Sequence, residues 1–334
     1  MSATYDVLGL GNAIIDILAR VEDDLVVSEG LNKGGMALID EARAAQLYER
    51  IGPTILASGG SAANTCAGVA SLGARAAFIG KVRDDALGHS FAHDIRAVGV
   101  HYPTALATEG PATASCTILV TPDGERTMNT FLGASQHLGP EDVDEDVVRA
   151  SATVYLEGYL WDPPAAKEAF RRAAEIAHAA GRQVALSLSD QFCVDRYRAE
   201  FLELVRSGTV DLLFANEGEL KSLYETADFD SAVSALREDA RFAVVTRSEK
   251  GALVVTREET LAVPAFPVER VVDATGAGDL FAAGVLAGLA RGLSSLDAAR
   301  LGALSASETL THMGPRPQRS LADLAVQEGL FATA

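Results

Sequence analysis

The chain has 334 residues, of which 48% are hydrophobic and 22% charged, and its formal net charge is −18. This length and hydrophobic content predict a folded globular protein with a sizeable core. The acidic balance argues against nucleic acid or an anionic membrane as the partner, because both would repel the surface, although a local cradle with a counter-cation can still bind an anion.

The cysteines and the first residues give expectations about location. Cys66, Cys116 and Cys193 lie far apart without metal-binding spacing, so we expect free thiols in a reducing compartment. The opening MSATYDVLGLGNAIID lacks a basic region before its apolar run, which predicts no signal peptide, and no stretch resembles a membrane span. The sequence therefore predicts a cytoplasmic protein.

Taken in chain order, apolar strand-like runs alternate with amphipathic helical stretches. This pattern predicts an α/β fold with a mostly parallel sheet and helices on both faces. The predicted strands are 7–10, 76–80, 154–156, 184–188, 212–214 and 242–246. The predicted helices include 62–72, 164–179, 217–224, 277–290 and 296–310.

Residues 17–39 and 112–131 interrupt this alternation, because they read as exposed strands joined by turns such as Pro122-Asp123-Gly124. Neither segment has enough apolar residues for its own core. We expect them to form a small β-sheet lid on a large domain of residues 1–16, 40–111 and 132–334. A closing lid would exclude water from a transferable phosphoryl group, whereas two decorative hairpins are the alternative.

Two candidate sites lie in the first quarter of the chain. Asp16 follows the first predicted strand, where open α/β sheets bind ligands, and one carboxylate can accept from two adjacent hydroxyls. In Ser58-Gly59-Gly60-Ser61-Ala62-Ala63-Asn64-Thr65, the paired glycines let the backbone approach a ligand, and Asn64 can donate and accept. A solvated loop acid and a serine helix cap are the respective alternatives.

Two further candidates follow predicted strands in the second half. Asn216 and Glu219 lie three residues apart on one face of a first helical turn, where they can hold waters around Mg²⁺ or simply favour the helix N-terminus. Thr246, Ser248 and Gly251 belong to a strand–turn–strand that can contact nucleotide phosphates, although an ordinary hairpin turn is equally consistent.

The strongest signal is Asp273-Ala274-Thr275-Gly276-Ala277-Gly278-Asp279, which precedes an apolar helix. Its glycines permit close approach to a ligand, and the free N–H groups of the first helical turn attract an anion. Asp279 at that positive end can take a proton from an attacking hydroxyl. An acid that merely favours the helix N-terminus is the weaker interpretation.

Two familiar nucleotide motifs are absent. A dinucleotide fingerprint that begins at Gly9 fails at Ile14, where its third glycine would stand. A P-loop is also missing, because Lys81 is followed by Val82 and lacks the upstream glycine.

Together, DATGAGD, SGGSAANT and NEGE resemble the motifs of the ribokinase/PfkB carbohydrate kinase family, with agreement in order and spacing over residues 5–315. The resemblance implies a ribokinase-like fold, ATP and Mg²⁺, and the following roles. Asp279 would be the catalytic base, and Gly276, Ala277 and Gly278 would form the anion hole and touch the nucleotide. The positions that would hold acceptor hydroxyls are Asn12, Asp16, Gly59, Gly60 and Asn64.

The remaining roles implied by the resemblance concern the nucleotide and its ions. Asn216 and Glu219 would govern Mg²⁺ and phosphate, and Thr246, Ser248 and Gly251 would form the nucleotide-side turn. Asp273 and Thr275 match positions near a monovalent-cation site, for K⁺ in some members. Ala274 departs from the usual threonine, and the tail Met313-Gly314-Pro315-Arg316-Pro317 matches only loosely, which leaves potassium dependence open.

Within the family, GNAIIDI and the segments that contain Phe131 and Tyr159 resemble adenosine-kinase-like members. Phe131 and Tyr159 can sandwich a purine, although packing in the core or lid is the alternative. The implied reaction is ATP-dependent phosphorylation of the 5′-hydroxyl of a ribonucleoside, adenosine to AMP. A ribokinase- or fructokinase-like sugar kinase and a non-catalytic nucleoside sensor are the alternatives, and exposed lid edges allow a monomer or a homodimer.

Overall fold

Two β-sheets of different size form the framework of the computed structural model, which describes residues 3–332. The strands of these residues, in chain order, are β1 Tyr5–Leu10, β2 Ile14–Arg20, β3 Met36–Leu38, β4 Thr54–Gly59, β5 Ala76–Ile79, β6 Ala114–Val120, β7 Arg126–Phe131, β8 Ser151–Glu157, β9 Gln183–Ser187, β10 Leu212–Asn216, β11 Phe242–Thr246, β12 Ala252–Thr256 and β13 Thr260–Val263.

The large sheet has eight strands in the order β13-β12-β11-β10-β9-β8-β1-β5. Neighbouring strands run parallel from β5 to β11, whereas β12 and β13 pair antiparallel at one edge. The central strands consist largely of apolar residues because helices cover both faces of the sheet. The predicted α/β fold with a mostly parallel sheet is confirmed, and all six predicted strands belong to this sheet.

Helices cover both faces of the large sheet. Those of residues 3–332 are α1 Asp23–Ser28, α2 Glu41–Arg50, α3 Ser61–Ser71, α4 Ala86–Ala97, α5 Glu145–Arg149, α6 Pro164–Ala179, α7 Gln191–Arg206, α8 Glu217–Leu223, α9 Phe229–Asp239, α10 Ala277–Ala290, α11 Ser295–Thr309 and α12 Leu321–Gln327. Helices α5 to α9 pack on one face, and α3, α4, α10 and α11 pack on the other. Among these helices, none combines the length and the apolar character that crossing a membrane requires.

The small sheet has five strands in the order β3-β7-β6-β2-β4. Its extent differs from the predicted lid in three places. Residues 14–16 belong to β2 of this sheet, although the predicted large domain includes residues 1–16. Strand β4 pairs antiparallel with β2, although the sequence predicts residues 40–111 in the large domain. Segment 17–39 contains helix α1, which begins with two acidic residues and buries Val26. The differences in the strands come from pairing with residues distant in sequence, which local alternation does not reveal.

Close helix packing brings the first turns of α3 and α10 together at the carboxyl ends of the central strands. A Cβ atom on Gly68 would lie 2.6 Å from Cδ1 of Leu280, so α3 and α10 touch at a separation that requires glycine. A Cβ atom on Gly284 would likewise lie 2.6 Å from Cα of Gly302, which fixes α10 against α11. These contacts hold the N-terminus of α10 in place.

Candidate active site

A cleft of about 350 Å³ opens at the carboxyl ends of the central strands. The predicted residues that line it are Asp16, Gly60, Asn64, Tyr159, Asn216, Glu219, Thr246, Thr275, Gly276, Gly278 and Asp279. The predicted residues outside its lining are Asn12, Gly59, Phe131, Ser248, Gly251, Asp273 and Ala277. A larger depression of about 510 Å³ beside α4 contains none of them, so chemistry rather than size identifies the site.

The carboxylate of Asp279 is held by two side chains from the first turn of α3. Ser61 Oγ donates to its Oδ1 at 2.6 Å, and Asn64 Nδ2 donates to its Oδ2 at 3.0 Å. Burial raises the pKa of Asp279 to about 6, and these hydrogen bonds oppose the rise because they favour the charged form. Asp279 therefore faces the cleft as a carboxylate near neutral pH, poised to accept a proton.

The backbone around Gly276 forms an anion cradle, residues 276–278, at the N-terminus of α10. Gly276 has φ of 80°, and a Cβ atom there would lie 2.6 Å from Pro315, so both conformation and space require glycine. At Gly278 an added Cβ would meet no atom within 4 Å. The amide of Ala277 already donates to Ala274 O at 3.2 Å, which leaves the next amides of the first turn for a ligand.

Asp16 reaches the cleft from β2 of the small sheet. A Cβ atom on Gly59 would lie 2.7 Å from its Oδ2, so glycine at 59 makes room for the carboxylate without lining the cleft itself. Among the described residues the carboxylate of Asp16 has no hydrogen-bond donor. Burial raises the pKa of Asp16 to about 7, although the guanidinium groups of Arg316 and Arg126 oppose this. The arrangement leaves an acceptor free for hydroxyls.

Asn12 is engaged elsewhere. It is buried, and its Nδ2 donates to Glu157 Oε1 at 2.6 Å. The same carboxylate accepts from Ala62 N at 2.8 Å, so it also anchors the start of α3. Burial raises the pKa of Glu157 to about 7, while its donors oppose the rise. The contacts of Asn12 thus support α3, and its predicted contact with the acceptor stays a prediction.

Asn216 and Glu219 form a reciprocal cap at the start of α8. Asn216 N and Nδ2 donate to the two carboxylate oxygens of Glu219 at 2.9 and 2.7 Å, and Glu219 N donates to Asn216 Oδ1 at 2.8 Å. Burial raises the pKa of Glu219 to about 7. Since each oxygen retains a lone pair and both residues line the cleft, the pair fits Mg²⁺ held through water rather than by direct ligation.

The carboxylate of Asp273 is saturated by protein donors. Its Oδ1 accepts from the amide and hydroxyl of Thr275 at 3.0 and 2.8 Å. Its Oδ2 accepts from Gly314 N at 2.9 Å and pairs with Arg126 at 2.8 Å. A guanidinium from β7 of the small sheet thus already supplies a cation at the predicted monovalent-cation position. Groups of three or more acidic, histidine or cysteine ligands are absent from residues 3–332.

The remaining predicted residues divide between the cleft and its surroundings. Thr246 lines the cleft at the end of β11, but Ser248 and Gly251 lie beyond it in the turn to β12, at φ of 52° and 84°. Tyr159 lines the cleft and is 39% exposed. Phe131 ends β7 outside the lining.

Sequence reasoning missed several residues of the cleft. Ser61 lies inside the quoted SGGSAANT motif, yet its contact with Asp279 spans 218 positions and has no local signal. Ser189 lines the cleft with φ of 67°, a strained conformation that is common at functional sites. Arg126 and Arg316 lie outside the cleft lining but contact Asp273 and Asn64, and isolated arginines give no pattern from which a sequence reveals them.

With this geometry established, comparison with known proteins identifies the family. Residues 49–320 match the model of the pfkB family carbohydrate kinases. The chain belongs to the PfkB kinase family. An ATP-dependent ribose-1-phosphate kinase from Halopiger xanaduensis is 34% identical, with 69% of this chain and 72% of that protein aligned.

Solved structures of two similar proteins support the same assignment. An adenosine kinase from Sinorhizobium meliloti is 57% identical, with a TM-score of 0.91 over 98% of this chain and 100% of that chain. A probable sugar kinase from Rhizobium etli CFN 42 is 52% identical, with a TM-score of 0.92 over the same shares. The predicted family and the ATP-dependent phosphotransferase class are confirmed, and this PfkB kinase is of the adenosine-kinase-like type.

Proposed function

We propose that this PfkB kinase transfers the γ-phosphoryl group of MgATP to the 5′-hydroxyl of adenosine. The observation that carries the proposal is the Asp279 carboxylate, fixed at 2.6 and 3.0 Å by Ser61 and Asn64 beside a glycine cradle. Asp16 in the same cleft supplies an unsatisfied acceptor for the ribose hydroxyls. The similarity to an adenosine kinase at 57% identity supports the choice of nucleoside.

Each residue then has a definable task. Asp16 and Asn64 orient the ribose, and Tyr159 offers an aromatic face to the purine. Asp279 accepts the proton of the 5′-hydroxyl while the 5′-oxygen of the ribose bonds to the γ-phosphorus. The bond between the γ-phosphorus and the leaving oxygen of ADP breaks at the same time. The free amides of the cradle stabilise the charge on the transferred group.

Mg²⁺ would supply neutralisation of the phosphate charge, with Asn216 and Glu219 holding it through water. Thr246 lies on the nucleotide side of the cleft at the end of β11. The small sheet, we further suggest, acts as a lid that carries Asp16 over the acceptor and excludes water. All three cysteines have free, buried thiols, which agrees with an enzyme that acts in the reducing cytoplasm, where ATP is available.

A sugar kinase is the second candidate, since two of the similar proteins are named as a probable sugar kinase and a ribose-1-phosphate kinase. ADP release should therefore be measured with adenosine, inosine, guanosine, ribose and fructose under identical conditions. We expect turnover with adenosine to exceed that with the free sugars by at least about 100-fold in kcat/KM, because only a nucleoside uses the aromatic face of the cleft. Turnover of ribose or fructose alone would transfer the assignment to the sugar kinase, and no ADP release with any of the five would contradict both.

A further inference from the structure

The segment after α11 packs directly against the anion cradle. Gly314 N donates to Asp273 Oδ2 at 2.9 Å, and Pro315 occupies the space beside Gly276. The next residue, Arg316, turns toward the first turn of α3, where its Nε lies 3.5 Å from Asn64 Oδ1. A cation thus stands beside the first turn of α3, next to the cleft but outside its lining.

This guanidinium is unusual because it lacks a close counter-charge. Among residues 3–332 no carboxylate lies within ion-pairing distance of Arg316, and its buried Nη2 has no hydrogen-bond partner. Burying a cation without a partner costs free energy, so the placement does not serve stability. Such a cost is typically accepted at functional sites.

The charges that face Arg316 are the carboxylates of Asp94 on α4 and Asp16 on β2, together with the Cys66 thiol on α3. The Asp94 side chain is 45% exposed and already accepts from Ser58 at 2.8 Å, so water and this donor screen it. Asp16 is buried and has no donor among the described residues. The field of Arg316 therefore acts mainly on Asp16, where little water competes.

Arg316 also acts on the other half of the site. A side-chain amide can be rotated by half a turn with its oxygen and nitrogen exchanged, and only one orientation directs Nδ2 of Asn64 at Asp279. Because Arg316 can donate but not accept, its Nε favours the orientation in which Oδ1 of Asn64 faces it. The Nδ2 group is then left to donate to Asp279 at 3.0 Å.

We propose that Arg316 is a positioning residue, which favours the charged form of Asp16 for the acceptor hydroxyls and keeps the amide of Asn64 directed at the catalytic carboxylate. The proposal rests on the proposed function, in which Asp16 binds the ribose of adenosine. Neither task requires Arg316 to touch the substrate.

Four charged groups face Asp16 from the elements around it, namely Arg316 from the tail, Arg126 from β7, Asp273 from the loop before α10, and Asp279 from α10. The thiol of Cys116, whose pKa burial raises, lies opposite Asp16 on β6. Of the two cations, Arg126 is already paired with Asp273 at 2.8 Å. Without Arg316, burial and the two neighbouring carboxylates would therefore raise the pKa of Asp16 further. Asp16 should then stay protonated to a higher pH.

The test compares Arg316→Met, which keeps length and loses charge, with Arg316→Lys, which keeps the charge. Arg319→Met is the matched control, because Arg319 lies three positions along the same tail and is exposed. Steady-state rates with adenosine and saturating MgATP are measured from about pH 5.5 to about pH 9, since the pH profile of kcat/KM reports groups of the free enzyme.

For Arg316→Met we expect KM for adenosine to rise about tenfold at neutral pH and the acidic limb of kcat/KM to move upward by about one pH unit. Arg316→Lys should restore the position of that limb but leave KM between the values of wild type and Arg316→Met, because a point charge holds the Asn64 amide less well. Arg319→Met should behave as wild type. An unchanged limb and KM in Arg316→Met would overturn the proposal.

A second measurement needs no substrate and separates this proposal from the proposed function. Because the folded pKa of Asp16 lies above its unfolded value, its ionisation destabilises the fold as pH rises from the unfolded pKa to the folded pKa. Ionisation of Asp16 should therefore lower the Tm of wild type between about pH 4 and about pH 7. In Arg316→Met this decrease in Tm should continue above pH 7. Parallel curves for the two proteins would refute the role of Arg316 even if adenosine turned out not to be the acceptor.

Discussion

Burial and hydrogen bonding act in opposite directions on the carboxylate of Asp279. Burial alone would favour the neutral acid, which cannot accept a proton from a hydroxyl. Donation from Ser61 and Asn64 offsets part of that effect and leaves the pKa at about 6. Asp279 is thus mostly ionised at neutral pH, yet its pKa is high enough to make it a better base than an exposed aspartate.

Replacing Asp279 by asparagine should lower kcat by about 10² to 10⁴-fold, because the amide keeps the shape of the side chain but cannot accept the proton. Calorimetric titration with ATP should give nearly the wild-type affinity, since the cradle amides belong to the backbone. The control is Asp230→Asn, an exposed aspartate on α9. Retention of most of the rate in Asp279→Asn would mean that another group is the base.

The pH dependence of kcat follows from the same group. Since the pKa of Asp279 lies at about 6, protonation below that pH removes the base, and kcat should fall tenfold for each further pH unit. Above pH 7 the contribution of Asp279 should be constant. A kcat that stays level down to pH 5 would contradict the assignment, and the measurement uses saturating adenosine so that Asp16 binding is not limiting.

The residues that local motifs could identify are those within DATGAGD, SGGSAANT and NEGE. Their partners could not be identified in this way, because the bonds that hold Asp279 join residues more than 200 positions apart. Asn12 shows a different limit: it lies in a recognisable motif, but its side-chain nitrogen donates to Glu157, a contact that the motif does not predict. A motif predicts which residues matter more securely than it predicts what they touch.

At the scale of elements, glycine contacts between helices determine where the catalytic turn lies. Helices α3 and α10 approach through Gly68, and α10 and α11 approach through Gly284 and Gly302. Packing along the length of α10 therefore fixes the position of its N-terminus. The anion cradle at that N-terminus is held rigidly as a result. A preorganised cradle spends no free energy on rearrangement during the reaction.

Gly276→Ala should destabilise the protein by about 1 to 3 kcal/mol, because alanine disfavours a positive φ, and should also displace Pro315. Urea unfolding measures this loss. Gly278→Ala is the matched comparison, since an added methyl group meets no atom within 4 Å. Its free energy of unfolding should stay near wild type or rise slightly, while kcat falls as the methyl group narrows the cradle. Equal stability of the two variants would show that Gly276 is under no constraint.

Elements with strong local patterns were predicted to within a few residues. Helices α6 and α10 coincide with their predicted ranges, because their apolar spacing is uninterrupted. Strand β4 was missed, since TILASG is short, ends in glycine, and becomes a strand only by pairing with β2. The parallel pairing of β2 with β6 joins segments about 100 residues apart, and no local signal predicts such a register.

Across the whole molecule, the site exists only where the two sheets meet. Helix α10, which packs on the large sheet, supplies the cradle and Asp279, and the small sheet supplies Asp16 and the Arg126 that pairs with Asp273. Only residues 11–13 separate β1 of one sheet from β2 of the other. A ligand that binds both walls should therefore stabilise the assembled form at the expense of the unfolded chain.

Adenosine at about 100 times its Kd should increase the free energy of unfolding by about 2.7 kcal/mol, with a corresponding rise in Tm. Thermal melts with and without adenosine measure the shift. In Asp16→Asn the shift at the same concentration should largely disappear, because the amide presents one acceptor where the carboxylate presents two. Fructose is the control ligand. An equal Tm shift in Asp16→Asn would show that the diol binds elsewhere.

The single carboxylate of Asp273 joins three segments that are remote in sequence: the cradle loop, β7 of the small sheet through Arg126, and the tail through Gly314. The segment after α11 is consequently part of the structure that supports the site. A protein that ended after α11 would lose Arg316 and also the Gly314 amide that donates to Asp273. The loop that contains Asp273, to which Arg126 of the small sheet is paired, would then lack its contact with the tail. Because α12 in the same segment buries Leu321, Leu324 and Ala325, shortening the polypeptide from that end should lower stability first and, once Arg316 is removed, catalysis as well.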